Sequence, residues 1–343
     1  MTKKLIYTAV LLMFCVNLSS AQNNVDFKKK NFKNDIAGFE KAKNHIQNGD
    51  IYYKIGTGAY KIAVLFYEKA QEFNPNNDEL NLKIGICYLH TDQKDKAKDY
   101  ILKSIKLQKK KKSYAQYYLG NSLQYESKFE EAINSYNKFL DNMPLYKRKK
   151  CKRMALKRIS ECESGQILLK EKLNIDIHNP GAELNSENSE YLPQLSFAED
   201  TLYFTSRRKS GNTETASIDP GDFLWFEDVY TAIYKDSSYV VKNQGELYNR
   251  PFHDALLFKS DKYKIIYRSG KNGDLYLQTK NADGIYSIEK FPETINSKYK
   301  ESSAVLSPDG NTLYFVSNRT KKSFGGSDIY YSRKDDEGKW EKP

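Results

Sequence analysis

The chain has 343 residues, enough for two domains, and a formal net charge of +11 with 39% hydrophobic residues. The charge is uneven, because residues 1–21 carry +2, residues 22–175 carry +13 and residues 176–343 carry −4. Beyond residue 21 no stretch approaches the roughly 20 apolar residues that a membrane helix needs. Composition therefore excludes a transmembrane span in this stretch and places the basic excess in one half of the chain.

Residues 1–21 have the pattern of a secretory signal peptide. Two lysines precede an apolar run, and small side chains at Ser19 and Ala21 place the cleavage site before Gln22. The apolar run is too short for a membrane anchor. Bulky residues just before Cys15 argue against lipidation at that position. The sequence predicts an exported protein that is periplasmic or associated with the outer membrane.

Export changes the meaning of the basic charge on residues 22–175. A cytosolic chain of this kind would suggest nucleic acid, whereas an exported one favours an acidic protein, lipid headgroups or a cell-wall polymer. A solvated helical surface without any partner is the alternative interpretation. We expect no nucleic-acid partner.

Three cysteines remain after the leader, namely Cys87, Cys151 and Cys162. An odd number argues against a disulfide framework. Cys151 and Cys162 lie on one face of a predicted helix, about 16 Å apart, which is too far for a disulfide bond. We therefore predict buried thiols.

Residues 35–165 repeat with a period near 34. Gly85 and Gly120 are 35 residues apart, and each precedes an alanine, Ala97 or Ala132, by twelve residues. Both small residues let paired helices approach closely, and the spacing is typical of tetratricopeptide repeats that stack into a solenoid. The first copy is irregular, because glycines interrupt the expected turn between its helices: Gly49, Gly56 and Gly58.

The first helix of the third repeat would line the concave groove of such a solenoid. It carries a stripe of aromatic and amide side chains: Tyr114, Tyr117, Asn121 and Gln124. Their mixed chemistry predicts a groove for a peptide of a partner protein. Packing of the tyrosines against the neighbouring helix is an equally good interpretation.

A basic helix from Tyr146 to about Glu163 follows the third repeat and would cap the solenoid with a polar outer face. Its cationic side chains are further candidates for binding a partner: Lys149, Lys150, Lys152 and Arg153. We interpret Gly165 as the break that ends the helical domain.

Helical periodicity stops near residue 175, and the second half of the chain repeats a different pattern. Three predicted strands end in a serine: Leu202-Tyr203-Phe204-x-Ser206, Ile265-Ile266-Tyr267-x-Ser269 and Leu313-Tyr314-Phe315-x-Ser317. Each is followed by an Asp-aliphatic-Tyr triplet, which starts at Asp228, Asp274 or Asp328. Each module fits four strands, with the first at 194–197, 255–258 or 304–306 and the outermost starting at Tyr239, Tyr286 or Trp340. This pattern is typical of propeller blades, and residues 191–343 would hold about three, fewer than a closed propeller needs.

The segments "ESSAVLSPDGNTLYFVSNR" and "GGSDIYYSRKDDEGKWEKP" resemble the WD-like propeller repeats of TolB-type periplasmic proteins. Together with the helical segment "EKAQEFNPNNDELNLKIGICYL" and the signal peptide, they resemble Bacteroidota envelope proteins of the OmpA-associated class, such as the PorE-like proteins of the type IX secretion system. The resemblance implies a scaffold that binds envelope proteins, with peptidoglycan or outer-membrane components as further partners. Members of that class generally have six blades and an OmpA-like domain; this sequence shows neither, so cell-wall anchoring is not carried over.

An insertion of 21 residues separates Ser206 from Asp228, where the other modules have 10 or fewer. Long loops on rigid scaffolds often carry binding residues, and this one contains Trp225 and Phe226. A loop folded onto its own blade is the alternative.

The sequence contains no pattern that predicts catalysis. Its four histidines match no metal-ligand spacing, and it has neither a nucleophile elbow nor a phosphate-binding loop. We predict no catalytic residues, no metal and no cofactor. A regulatory propeller of a periplasmic peptidase and a glycan-binding module remain alternatives to the scaffold.

The predicted fold is a multidomain α+β chain, an N-terminal tetratricopeptide α-solenoid followed by a partial β-propeller of about three blades. The predicted segments are a signal peptide at 1–21, a basic N-terminal segment at 22–34, the helical domain with its capping helix at 35–165, a linker at 166–190 and the incomplete set of blades at 191–343.

Overall fold

The structure is a computed structural model that describes residues 23–108, 113–143, 148–171, 173–196, 198–209, 218–246, 248–260, 263–269, 273–280, 283, 285–320, 323 and 325–343. The predicted signal peptide at 1–21, its cleavage before Gln22 and the question of lipidation at Cys15 lie outside these residues. The chain divides into two compact units, one that ends at Ile175 and one that spans Asp176–Pro343.

The described part of the first unit contains seven α-helices. They are α1 (Ile36–Ile55), α2 (Tyr60–Phe73), α3 (Asp78–Leu89), α4 (Ala97–Leu107), α5 (Ser113–Tyr125), α6 (Phe129–Asp141) and α7 (Arg148–Leu168). Helices that follow each other in the chain pack against each other, and α3 also contacts α5. The first six helices therefore form three pairs, as the repeat predicted, and α7 packs on the last pair.

A buried glycine on the first helix of each pair allows the close packing. A Cβ on Gly120 would overlap the ring of Tyr136, and a Cβ on Gly49 would overlap the ring of Tyr67. Gly49 lies inside α1, so its interpretation as an interruption is wrong. It is the packing glycine of the first pair, and it precedes Ala63 by fourteen residues instead of twelve.

The helix α7 continues through Gly165 and ends at Leu168. The interpretation of Gly165 as a helix break is therefore also wrong. A Cβ at this position would overlap the ring of Phe129, so the glycine allows α7 to approach α6. The predicted start of this helix at Tyr146 lies outside the described residues.

The three cysteines of the first unit are reduced and buried, as predicted. Cys87 lies between the first and second helix pairs, and burial raises the pKa of its thiol to about 12. Cys151 and Cys162 lie on the inner face of α7 with Ala155. A thiol with so high a pKa is protonated at neutral pH and is a poor nucleophile.

The described part of the second unit contains eleven strands in three antiparallel sheets. The first sheet holds β1 (Glu190–Leu195), β2 (Thr201–Ser206), β3 (Asp228–Lys235) and β4 (Ser238–Asn243). The second holds β5 (His253–Lys259), β6 (Tyr263–Ser269), β7 (Asp274–Lys280) and β8 (Tyr286–Lys290). The third holds β9 (Glu301–Leu306), β10 (Thr312–Ser317) and β11 (Asp328–Arg333). In each sheet the strands lie side by side in chain order.

Three details of the strand assignment differ from the sequence prediction. The first strand of each sheet starts before the predicted segment, at Glu190, His253 and Glu301 instead of residues 194, 255 and 304. Trp340 forms only an isolated bridge with Lys334 and no outer strand. In the second sheet Arg268, and not Ser269, pairs with the aspartate of the triplet, whereas Ser206 and Ser317 do so in the other two. The second copy of the motif is thus displaced by one residue.

Apolar side chains pack between consecutive sheets. Val229 of the first sheet contacts a cluster with Leu256 of the second, and Leu275 of the second packs with Leu313 and Phe315 of the third. The sheets thus stack in chain order, and within the described residues they do not close into a ring.

A buried charged network repeats in the first and third sheets. Glu301 is completely buried; it accepts hydrogen bonds from Ser317 at 2.9 Å and from the guanidinium of Arg319 at 3.1 Å. Glu190 has the same partners in Ser206 and Arg208, at 2.9 and 3.1 Å. The repeat serine therefore binds the first strand of its own sheet.

Candidate functional site

The predicted groove stripe lies on α5, but most of it is used within the fold. Tyr117 is buried against Tyr136 of the next helix, with ring centroids 5.6 Å apart. The hydroxyl of Tyr136 lies 2.8 Å from the side-chain oxygens of both Asn121 and Gln124. Tyr114 keeps an exposed edge. The fold itself thus engages Tyr117, Asn121 and Gln124, and peptide binding by the stripe stays a prediction.

The predicted basic candidates lie on the first turns of α7. Lys149, Lys152 and Arg153 are exposed, and the intervening Cys151 faces the core. The side chain of Lys150 lies outside the described residues. The structure therefore brings three of the four cations to the outer surface of one helix, where their role in binding stays a prediction.

The N-terminal segment packs against the loop between α2 and α3, a contact that the sequence did not predict. The amides of Asn74 and Asn77 both donate to the carbonyl oxygen of Val25, at 2.8 and 3.0 Å. The amide nitrogen of Val25 donates to the carbonyl of Asn76 at 2.7 Å. The loop between α2 and α3 thus holds an extended backbone by its main chain. The run of asparagines around Pro75 is the only sequence signal for it.

A cleft of about 610 Å³ opens beside this segment, between α1 and α3. Its charged lining includes Asp50, whose Oδ1 accepts hydrogen bonds from Lys83 at 2.7 Å and from the hydroxyl of Tyr67 at 2.6 Å. Asp26 and Glu79 line the cleft as well. Its lining thus combines charged and apolar side chains, and the chain's own N-terminal residues form part of it.

The insertion of the first sheet is held by an arginine at its start. The two terminal nitrogens of Arg207 donate to both carboxylate oxygens of Asp222, at 2.6 and 3.0 Å. Its Nε donates to the carbonyl oxygen of Trp225 at 2.6 Å. Residues 210–217 of the insertion lie outside the described part of the chain. The described residues of the insertion fold back on the end of β2, in keeping with the alternative interpretation of a loop folded onto its own blade.

His253, at the start of β5, joins this insertion to the second sheet. Its Nε2 lies 3.0 Å from a carboxylate oxygen of Asp219, and its Nδ1 lies 3.1 Å from one of Glu227. Burial alone would lower the pKa of His253, but the hydrogen bond and charge of Glu227, with Asp219, raise it above its ordinary value. Nearby Arg207 opposes this effect.

The pKa values of the two carboxylates shift in the opposite direction. Burial would raise the pKa of Glu227, but hydrogen bonds from His253 and Tyr191 lower it. Burial would also raise the pKa of Asp219, but the backbone N–H of Gly221 and the imidazole lower it. The arrangement is a clamp in which the imidazole of His253 bridges two carboxylates.

The predicted aromatic candidates of the insertion lie beside this clamp. Phe226 packs edge-on against the imidazole of His253 at 4.7 Å and against the ring of Phe252 at 6.0 Å. Trp225 is half-buried, and the ammonium of Lys209 lies 5.8 Å from its ring centre. The structure thus gathers aromatic side chains at one edge of the second unit, and their part in binding stays a prediction.

Within the described ranges, no group of three or more histidine, cysteine, aspartate or glutamate side chains is arranged to hold a metal ion. Among the same residues, no helix combines the length and the apolar character needed to cross a membrane.

Comparison with known proteins identifies one repeat. Residues 114–145, which include α6 and all of α5 except its first residue, match the tetratricopeptide repeat family. Among solved structures, the chain is similar to the first tetratricopeptide domain of human RPAP3, with 19% identity over 39% of this chain and 98% of that chain and a TM-score of 0.33. It is also similar to the MamA protein, with 20% identity over 44% of this chain and 85% of that chain and a TM-score of 0.29. No curated protein matches.

The helical unit therefore contains a tetratricopeptide repeat inside a stack of helix pairs. Such stacks are scaffolds for protein–protein interaction, because their repeats build extended concave surfaces. The chain thus combines a tetratricopeptide-type helical unit with a unit of antiparallel sheets.

Proposed function

We propose that this protein is a non-catalytic scaffold of the bacterial cell envelope that binds partner proteins through its helical unit. The tetratricopeptide repeat at residues 114–145 carries the proposal. The exposed cations Lys149, Lys152 and Arg153 on the adjoining helix favour a partner with an acidic surface. Peptidoglycan or an outer-membrane component is the second class of partner.

The second unit, in this proposal, is part of a WD-like β-propeller of the TolB type. Support comes from three sheets of one strand order that stack through equivalent apolar positions. The sequence-based division, with a helical domain at 35–165, a linker at 166–190 and blades at 191–343, belongs to the same proposal. Limited proteolysis should cut first between residues 166 and 190 or within the insertion; first cuts inside residues 82–140 would contradict it.

Export and a role in type IX secretion or in the organisation of the outer membrane rest on the resemblance to OmpA-associated, PorE-like Bacteroidota proteins. The signal pattern at 1–21 supports export. The mass of protein isolated from an envelope fraction tests this directly. A chain that starts at Gln22 without a lipid is expected, and a lipid on Cys15 would contradict it.

A glycan-binding module is the second candidate function, because Trp225, Phe226 and Phe252 gather at the insertion. Aromatic faces of this kind would stack on sugar rings. Binding of soluble peptidoglycan fragments that is lost on Phe252→Ala, with capture of envelope proteins unchanged, would favour this candidate. Regulation of a periplasmic peptidase remains a third alternative.

The scaffold function can be tested by charge reversal on α7. Changing Lys149, Lys152 and Arg153 together to glutamate should weaken capture of the envelope partner and flatten the salt dependence of binding, because screened attraction between charges is lost.

The matched control places the same charge change on exposed lysines of the first helix pair: Lys41, Lys43 and Lys69. Both variants have the same net charge, so only a local effect distinguishes them. Equal loss of binding in the two would show a general charge effect. Unchanged binding in the α7 variant at low salt would show that this surface is solvated and binds no partner.

A further inference from the structure

A turn with the same main-chain hydrogen bond precedes each of the three sheets. It ends at Asn185, Asn249 or Asn296, whose backbone N–H donates to the carbonyl oxygen four residues earlier, at 2.9, 2.9 and 2.8 Å. The residue before the asparagine is large and buried each time: Leu184, Tyr248 and Ile295. The three turns are therefore equivalent positions of one repeat.

The first two turns agree in their side-chain hydrogen bonds as well. The side-chain oxygen of Asn243, the last residue of β4, accepts from the backbone N–H two residues later at 2.9 Å and from the side-chain amide of Asn249 at 2.8 Å. The side-chain oxygen of Asn179 accepts from the backbone N–H two residues later and from the side-chain amide of Asn185, both at 3.0 Å. Asn179 thus occupies the place in the repeat where an outer strand ends.

An outer strand leads into the turn before the second sheet and into the turn before the third. These strands, β4 and β8, end six residues before Asn249 and Asn296. The corresponding residues before the first turn are 173–179, with the sequence LNIDIHN. Apolar and polar residues alternate at their start, which is the pattern of a strand with one apolar face. The apolar members are Leu173, Ile175 and Ile177.

This strand-like segment pairs with none of the described strands. By its distance from the asparagine, Ile175 corresponds to Tyr239 and Ile177 to Val241, and both residues of β4 pack on the apolar cluster of their own sheet. Ile175 and Ile177 are instead 65% and 93% exposed. The chain before residues 173–179 forms α7, so the three strands that precede an outer strand elsewhere in this repeat do not precede this one.

The three described sheets offer the segment no position. An outer strand of the repeat lies beside the Asp-aliphatic-Tyr strand, and there β3 already pairs with β4 and β7 with β8. Beside β11, Lys334 forms a bridge with Trp340, and the backbone N–H of Glu341 donates to the carbonyl oxygen of Arg333 at 2.8 Å. Residues 340–341 therefore already lie along the edge of β11.

We propose that residues 173–179 are an outer strand that binds a further sheet of the same repeat, one that has three strands of its own and a free edge at its Asp-aliphatic-Tyr strand. The segment pairs antiparallel with that edge, as β4 pairs with β3, and Ile175 and Ile177 pack on the sheet as Tyr239 and Val241 do. Main-chain hydrogen bonds supply the affinity of such strand addition, and the alternate side chains supply its specificity. The proposal is independent of what the helical unit binds.

The reactivity of an introduced cysteine tests the proposal in full-length protein purified from the cells that make it. The three cysteines of the described residues are buried, and labelling of the unmodified protein with a maleimide gives the background. Ile177→Cys should react about tenfold more slowly than Leu168→Cys, because a paired thiol reacts only while the strand is open. Leu168 is the matched control, an exposed aliphatic residue at the end of α7. Val241→Cys, at the equivalent position of β4, should react as slowly as Ile177→Cys.

Hydrogen exchange of the unmodified protein tests the main-chain part of the proposal without any substitution. The amides of residues 173–179 should exchange at rates similar to those of β4, which serves as the reference within the same molecule. Dilution identifies the source of the sheet. Protection that is independent of protein concentration would place the sheet in the same molecule, and protection that is lost on dilution would place it in a second one; both results support strand addition.

Two results would overturn the proposal. An Ile177→Cys thiol that reacts as fast as that of Leu168→Cys, together with rapid exchange of residues 173–179, would show that the segment is unpaired. A protected thiol with rapidly exchanging amides would show that the aliphatic side chains are covered without any pairing of the main chain.

Discussion

His253 Nδ1 lies 3.1 Å from Glu227 Oε2, where the insertion of the first sheet meets the second sheet. Because the other imidazole nitrogen faces Asp219, a proton on His253 gives two favourable ion pairs at once. The same proton would be costly if either carboxylate were absent. The clamp therefore ties the order of the insertion to the ionisation of three side chains.

The clamp should make the insertion sensitive to pH. The raised pKa of His253 means that its contribution to stability is full below its ordinary value of 6.5 and is lost as pH rises through the folded value. The lowered pKa values of Asp219 and Glu227 mean that theirs is present above about 3.8 and 4.5 and is lost in stronger acid. We expect the insertion to be most protected from hydrogen exchange between these limits, by on the order of 1 kcal/mol.

His253→Gln should remove most of this pH dependence, because glutamine keeps hydrogen-bonding capacity without the charge. His178→Gln is the control, since His178 is an exposed histidine of the same unit. Hydrogen exchange of residues 218–227 measured across the pH range distinguishes the two. A pH profile that is the same in His253→Gln as in the unmodified protein would show that the clamp does not order the insertion.

Gly49→Ala should destabilise the first helix pair. Alanine normally favours a helix interior by about 1 kcal/mol, but here its methyl group would overlap the ring of Tyr67. Overpacking of this kind costs about 1–3 kcal/mol, so the net effect should be a loss of stability. Urea unfolding followed by the helical circular dichroism signal measures it. Gln47→Ala, on the exposed face of the same helix, should change little; a Gly49→Ala protein as stable as this control would contradict the packing role.

The sequence predicted the helix pairs because Gly85 and Gly120 stand at one fixed distance from the next repeat alanine. It failed at Gly49 because two extra residues separate this glycine from Ala63, and a glycine outside the expected spacing resembles a helix breaker. Gly165 was wrongly interpreted as a helix break for the same reason. Glycine signals both a break and a close approach, and only the position of the facing ring, Tyr67 or Phe129, decides between them.

The sheets show a related limit. Four strands in chain order were predicted for each module, and two of the sheets have all four, whereas the third has three among the described residues. The pairing partner of Asp274 was not predicted. The sequence Ile265-Ile266-Tyr267 fits two registers, since consecutive apolar residues give a strand no single apolar face. The strand register that places Arg268 opposite Asp274 is therefore not evident from the local sequence.

The candidate site was predictable where it depends on a single helix and not where it depends on contacts between elements. The stripe from Tyr114 to Gln124 and the cations of α7 follow from helical spacing. Burial of Tyr117 depends on Tyr136 in the next helix, and the clamp at His253 depends on residues more than 25 positions away. No local pattern encodes such contacts.

Asn74→Asp combined with Asn77→Asp should release the N-terminal segment. Aspartate keeps the acceptor oxygens that bind the backbone N–H groups of Asn76 and Leu80 but loses both donors to Val25. Each lost hydrogen bond costs about 1 kcal/mol, and the new charges would also repel the carbonyl oxygen. Trypsin should then cleave after Lys28 faster than in the unmodified protein. Asn44→Asp, at an exposed position of α1, should leave the rate unchanged, and a double variant that behaves like it would show that the segment is held by other contacts.

The network around Glu301 should show strong coupling between its charges. Glu301→Gln removes the negative charge but leaves the guanidinium of Arg319 in a site where only part of it reaches water. Loss of one partner of a buried ion pair costs about 3–5 kcal/mol, because the other charge stays without compensation. Arg319→Met in the same protein removes that second charge, and its side chain can still pack on the rings of Phe315 and Tyr330. We therefore expect Glu301→Gln to lower the free energy of unfolding by less in the Arg319→Met background than alone. Urea unfolding of the unmodified protein, the two single variants and the double variant measures this.

The pair of Glu190 and Arg208 should behave in the same way, since its partners and distances repeat those of the first pair. Additive costs in both networks would show that the carboxylate and the guanidinium contribute independently of each other.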